Sequence, residues 1–229
     1  MRADAVLFDK DGTLFDFQRT WAPWLDDVIS DLGGGDAELT RALDRAWGYD
    51  RAVGIIRPDS VVVAGEVQDL AAHVAPLLPD MKVAEILEYL LETSVLAEPF
   101  EVIPLVEFLG GLAASGLGLG VATNDAEQVA RAQLSRVGAE ALLPFIAGYD
   151  TGHGGKPGTG MLNAFAEHAA TPPARIVMVG DSTHDLEAGR AAGMQTVAVL
   201  TGVAEAPDLA PLADIVLPDI GHLPAWLEG

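Results

Sequence analysis

Three short apolar runs in this chain each end in a polar residue, and stretches of helical period separate them. Ala5-Val6-Leu7-Phe8 gives way to Asp9, Leu117-Gly118-Leu119-Gly120-Val121-Ala122 to Thr123, and Val177-Met178-Val179-Gly180 to Asp181. Such runs, bounded by turn signals, read as buried strands. From Ile103 the alternation is regular: a helix to Ala114, a strand Leu117 to Thr123, a helix Ala126 to Val137, a strand Phe145 to Ala147. A helix Thr159 to Ala169, a strand Arg175 to Val179, a helix His184 to Ala192 and a strand Gln195 to Leu200 follow. A short strand near Ile215 and Val216 and a terminal helix close the chain. Repeated β-α units imply an α/β fold, a doubly wound parallel sheet covered on both faces, with ligands at the carboxyl ends of its strands.

The first apolar run is separated from the others by a region of different character. Trp21, Trp24, Leu25, Val28 and Ile29 fall at helical spacing between Asp16 and Asp31, and Gly33-Gly34-Gly35 breaks the pattern. Asp36 is suited to N-cap a second helix through Trp47. Pro58 interrupts again, and Val67 to Val74 and Met81 to Leu96 read as further helices. The expected organisation is a Rossmann-like core of residues 1–15 and 98–229, interrupted by an all-helical inserted domain, residues 16–97, that holds no strand. The first strand must then rejoin the sheet built by the later ones.

Composition narrows the possible chemistry. With 229 residues, 50% of them hydrophobic and 21% charged, the chain can bury a sizeable core. It has no cysteine, which excludes disulfides, a thiol nucleophile and thiolate metal sites. A net charge of −21 repels nucleic acid and anionic membrane surfaces, so neither is expected as a partner. Arg2 and Asp4 precede only four apolar residues, too few for a secretory signal, and the longest uncharged stretch, Phe108 to Asn124, carries five glycines. A cytoplasmic protein, monomer or homodimer, is expected. Small anionic ligands would need a local cation, and two of the chain's three lysines, Lys10 and Lys156, lie near candidate chemical positions.

Those positions begin at Asp9-Lys10-Asp11-Gly12-Thr13. In a strand, residues two apart share a side, so Asp9 and Asp11 can converge while Lys10 points away; Lys10 is therefore assigned no catalytic role. Gly12 permits a sharp bend that brings backbone N–H groups near an anion, and Thr13 adds a hydroxyl. Asp-Gly is also a common turn dipeptide. Thr123-Asn124 offers phosphate donors at a helix start, although Asn124 or Asp125 would serve equally as a helix cap. Lys156 lies in the loop Gly154-Gly155-Lys156-Pro157-Gly158, where a lone lysine is commonly a solvated charge. Asp185 follows Asp181 by four residues at the start of a helix, so the two can meet over one site, while a capped helix would account for one of them. His153, His168 and His184 lack zinc-site spacing and read as surface residues or neighbours of a site.

In this order the four segments resemble the motifs of the haloacid dehalogenase superfamily of aspartate-nucleophile hydrolases. The insertion resembles the helical cap of its phosphoglycolate phosphatase and β-phosphoglucomutase branch. The resemblance implies Asp9 as nucleophile, Asp11 as acid-base, Gly12, Thr13, Thr123 and Asn124 as phosphate-binding residues, and Lys156 as the cation joining carboxylate and phosphate. It implies Mg²⁺ held by Asp9, Asp181 and the backbone carbonyl of Asp11, with Asp185 in support. Dehalogenating members lack an acid at the position of Asp11, so this chain is expected to be a Mg²⁺-dependent phosphatase acting on a small phosphorylated metabolite through an aspartyl-phosphate. A phosphomutase is the alternative; a phospho-receiver signalling module, of a different class, has no helical insertion. Arg19, Arg51 and Arg57 in the insertion are candidates for a second anionic group of the substrate.

Overall fold

A computed structural model describes residues 1–229, apart from the side chain of Ala64. The chain begins with β1 (Ala5–Phe8), α1 (Phe17–Gly33), α2 (Ala37–Ala46), β2 (Tyr49–Asp50), β3 (Ile55–Ile56), α3 (Val61–Ala64), α4 (Val67–Val74) and α5 (Val83–Ser94). Next come α6 (Leu105–Ala114), β4 (Gly118–Ala122), α7 (Glu127–Arg136), β5 (Phe145–Ala147), α8 (Gly160–His168) and β6 (Ile176–Gly180). The remainder is α9 (Thr183–Ala191), β7 (Gln195–Val199), α10 (Ala206–Leu209), β8 (Ile215–Leu217) and α11 (Leu223–Glu228). Two compact units result, one of Met1–Phe17 with Pro99–Gly229 and one of Gln18–Glu98.

The first unit is built on a six-stranded sheet of order β5-β4-β1-β6-β7-β8, every pairing parallel. Alternation in β1 shows how its faces are used. Val6 and Phe8 enter a core with Leu105, Leu109 and Leu112 of α6, Leu134 of α7 and Leu223 of α11. Ala5 and Leu7 face Met161, Leu162 and Phe165 of α8 and Ala188 of α9. Both faces being covered explains why the strands read as unbroken apolar runs. The chain leaves and re-enters this unit side by side: Asp16 N–H donates to Phe100 O and Val102 N–H to Leu14 O.

In the second unit Asp36 caps α2 as expected, accepting from the N–H groups of Glu38 and Leu39. Trp47 is fully buried, and its indole N–H donates to Leu70 O at 3.1 Å. The expectation of no strand here is corrected. Tyr49–Asp50 and Ile55–Ile56 pair antiparallel, and the side chain of Gln18 bonds both N–H and C=O of Ile56. Strands of two residues carry too little alternation to be seen as a pattern. No helix among the described residues is long and apolar enough to cross a membrane.

Candidate active site

Sheet register fixes where the polar residues emerge. Phe8, the last residue of β1, lies opposite Val121 of β4 on one side and Val179 of β6 on the other, and those two strands run one residue further. Asp9 and Thr123 remain in line just beyond, with Asp9 N–H donating to Val179 O at 2.8 Å and Thr123 N–H to Ala147 O at 2.9 Å. The carboxyl edge of the sheet therefore carries Asp9, Thr123 and Asp181 together.

Lys156 reaches this edge from the loop before α8. Its ammonium lies 2.5 Å from Asp9 Oδ1 and 2.6 Å from Asp185 Oδ1, and it donates to Ala122 O at 2.7 Å. One carboxylate oxygen from each of Asp9, Asp181 and Asp185 falls within 4.8 Å of the others, and all three residues are buried. Asp185 also closes a capping box at the start of α9, its Oδ2 accepting from Ser182 N–H and Oγ at 3.1 and 2.7 Å. The main chain of Lys156 is gripped by Asn124, whose Nδ2 donates to Lys156 O at 2.9 Å and whose Oδ1 accepts from Lys156 N–H at 2.7 Å.

Glycine is required where the chain closes around Asp181. Gly12 has φ +81°, and a Cβ there would lie 2.4 Å from Asp181 Oδ2. One on Gly202 would lie 1.6 Å from the same oxygen. The Gly12 N–H, expected to face an anion, donates instead to Phe15 O at 2.7 Å, and Gly12 O accepts from Thr201 Oγ1 at 2.6 Å. Gly12 thus shapes the turn and gives Asp181 room. The buried Thr13 hydroxyl has no hydrogen-bond partner among the described residues.

Lys10 overturns the expectation drawn from strand alternation. It is fully buried, and its ammonium lies 2.9 and 2.8 Å from the two carboxylate oxygens of Asp11. Asp125 Oδ2 is 3.0 Å away and Gln133 Oε1 2.5 Å away. β1 stops at Phe8, and Lys10 O already accepts from the N–H groups of Leu14 and Phe15, so the two-residue period no longer governs residues 10 and 11.

A model of the haloacid dehalogenase-like hydrolases matches residues 3–193. The chain belongs to that family. The N-acetylmuramic acid 6-phosphate phosphatase of Pseudomonas aeruginosa is 30% identical over 213 residues, 91% of this chain and 86% of that protein. A phosphoglycolate phosphatase of Rhodospirillum rubrum is 35% identical over 119 residues, 52% of this chain and 49% of that protein. Among solved structures, a predicted phosphoglycolate phosphatase from Haemophilus somnus superposes with a TM-score of 0.72 at 17% identity, covering 99% of this chain and 98% of that one. At that identity the likeness speaks for the fold.

Electrostatics distinguish the groups of this haloacid dehalogenase-like hydrolase. Burial pushes the Asp9 carboxyl up to about 7, against the pull of Lys156 and with the repulsion of Asp185 and Asp11. Burial likewise lifts Asp181 well above the usual carboxylate range, helped by Asp9 and Asp185. Burial works against the charge of Lys156, but Asp185 and Asp9 hold its ammonium above its ordinary pKa. Three close carboxylates against one ammonium leave a negative excess that a cation would relieve. The donors are all oxygen, so the residues fit a hard divalent cation, and Asp185, expected only in support, lies as close to the set as Asp9 and Asp181.

The inserted arginines are partly committed within their own unit. Arg51 forks onto Asp44 at 3.0–3.2 Å and pairs with Asp26, while Arg57 pairs with exposed Asp59. Arg19, His153 and His168 are exposed, and His184 is half-buried. Sequence reading missed Gln133 and Gly202 and took Asp125 only as a possible helix cap, whereas α7 is capped at Ala126 with no side-chain cap. The one signal for Gln133 is a polar residue standing where helical period calls for an apolar one, beside buried Val129, Ala130 and Leu134.

Proposed function

We propose that this chain is a Mg²⁺-dependent phosphatase of a small, phosphoglycolate-like phosphorylated metabolite, working through an aspartyl-phosphate on Asp9. The observation that carries this reading is the buried juncture of Asp9, Lys156, Asp181 and Asp185 at the carboxyl edge of the sheet. The named activities of the relatives, on N-acetylmuramic acid 6-phosphate and on phosphoglycolate, support the substrate class. The residues expected from the sequence at 16–97 are taken as the unit that bears specificity.

In this mechanism an Asp9 oxygen attacks phosphorus, the bond to the ester oxygen breaks, and that oxygen leaves with a proton from Asp11. Asp11 then takes a proton from water, which attacks the same phosphorus and releases inorganic phosphate and free Asp9. Lys156 keeps Asp9 oriented and offsets the charge of the phosphoryl oxygens. Thr123 and the unpartnered hydroxyl of Thr13 are the donors assigned to those oxygens. Asn124 contributes by holding the Lys156 loop, and Gly12 by leaving space. Asp9, Asp181 and the Asp11 carbonyl, with Asp185, would hold Mg²⁺. When bound it supplies positive charge to the phosphoryl group as phosphorus–oxygen bonds form and break.

Phosphate release from a panel of phosphomonoesters, with Mg²⁺ and with chelator, tests the proposal. Release should require Mg²⁺ and vanish in Asp9→Asn; release unaltered by that substitution sinks it. Adding a sugar bisphosphate activator and looking for isomerised product separates a mutase from a phosphatase.

A further inference from the structure

Lys10 is a buried charge to which the proposed chemistry gives no task. Its side chain has no exposure, and it meets polar groups from three separate segments of the chain: Asp11 just beyond β1, Asp125 in the loop after β4, and Gln133 on α7. The distance of 123 positions between Lys10 and Gln133 makes this a tertiary arrangement, not an accident of the local turn. A long aliphatic residue would fill the same space with no need for polar company. Gln133 instead stands, wholly buried, in the apolar face formed by Val129, Ala130 and Leu134. The amide oxygen of Gln133 meets the ammonium of Lys10, while its buried nitrogen has no hydrogen-bond partner among the described residues.

The arrangement bears on one side chain in particular. Both Asp11 oxygens lie within 3 Å of the Lys10 ammonium, which is anchored from behind by Asp125 and Gln133. Asp125 is itself fixed: its Oδ1 accepts from Ala126 N–H at 2.7 Å, and its N–H donates to Thr123 Oγ1 at 3.0 Å. The clamp therefore joins Asp11 to the loop that carries Thr123. We propose that Lys10 is a positioning residue, holding the Asp11 carboxylate where it meets the leaving oxygen and keeping it in register with the Thr123 loop. This rests on the reading of Asp11 as acid-base in a phosphatase.

Leaving-group dependence provides the test, because a donor of protons matters for a basic alkoxide and hardly at all for a dinitrophenolate. In Lys10→Met, kcat/KM for an alkyl phosphate should fall by about 10- to 100-fold, while kcat/KM for 2,4-dinitrophenyl phosphate changes less than about threefold. Asp11→Asn should show the same selectivity, and Lys10→Met added to Asp11→Asn should cost nothing more. Gln133→Met, which keeps the lysine and loosens its anchor, should give a smaller effect of the same kind and covers the case in which Lys10→Met does not fold. Equal losses on both substrates, or additive losses in the double variant, overturn the proposal and leave Lys10 a structural plug. Wild-type protein inactive on both esters would instead overturn the phosphatase reading, and the positioning role with it.

Discussion

Two lysines are buried at the carboxyl edge of this sheet, and among the described contacts each meets two carboxylates and one neutral oxygen. Lys156 has Asp9, Asp185 and the carbonyl of Ala122; Lys10 has Asp11, Asp125 and the amide oxygen of Gln133. The difference is the third carboxylate. Among the described residues Asp181 stands beside the Lys156 group with no cation paired to it, and both it and Asp9 are pushed toward protonation by burial and repulsion. Around Lys10, burial also raises Asp125, with the lysine opposing and Asp11 adding to the rise, but a glutamine occupies the third place. In the proposed reading, the excess of negative charge is where a cation and a phosphoryl group would sit, and the better balanced cluster is what would hold the neighbouring acid in place.

That contrast breaks first at Asp9. Replacing it with Asn should lower phosphatase turnover by about 10⁴-fold or more, measured as phosphate release, because the proposed nucleophile would be gone. Lys156→Met should reduce kcat/KM by about 10²- to 10³-fold on every phosphate ester, whatever its leaving group. Lys10→Met should discriminate between leaving groups, so the two lysines separate by the pattern of their losses and not only by size.

Stability sharpens the same contrast. The Asp9 carboxyl titrates near 7 in the folded protein against an ordinary value of 3.8, so between those values the native state holds a proton that the unfolded chain has released. Metal-free protein should therefore lose stability as pH rises through that window. Asp9→Asn, neutral throughout, should melt several degrees above wild type at pH 8 in chelator, with a smaller gap at pH 5, as read by calorimetry. By a comparable amount, Mg²⁺ at about 100 times its Kd should raise the wild-type Tm at pH 8 by about 5–10 °C, and this rise should disappear in Asp181→Asn.

The parts legible in the sequence were those governed by local pattern. β1, β4 and β6 announced themselves as apolar runs, and the acids or hydroxyls at their ends had to share an edge once the sheet was parallel. Asp36 was legible as a cap for the same local reason. The Lys10 clamp was not, because it depends on where β1 stops and on a helix residue far along the chain. Asn124 shows the related limit: nothing in the sequence signals that its amide also grips the main chain of Lys156, 32 positions away. Gly202 gives no sign in sequence of the carboxylate it makes room for.

A covalent aspartyl-phosphate accumulates where its breakdown is slowed. Asp11→Asn should be mixed with 2,4-dinitrophenyl phosphate and Mg²⁺, and quenched with acid within the first turnover. The expected result is a burst of about one dinitrophenolate per protein and one phosphoryl group on the peptide that carries Asp9. Steady release with no burst, or a phosphoryl group on any other residue, would contradict it.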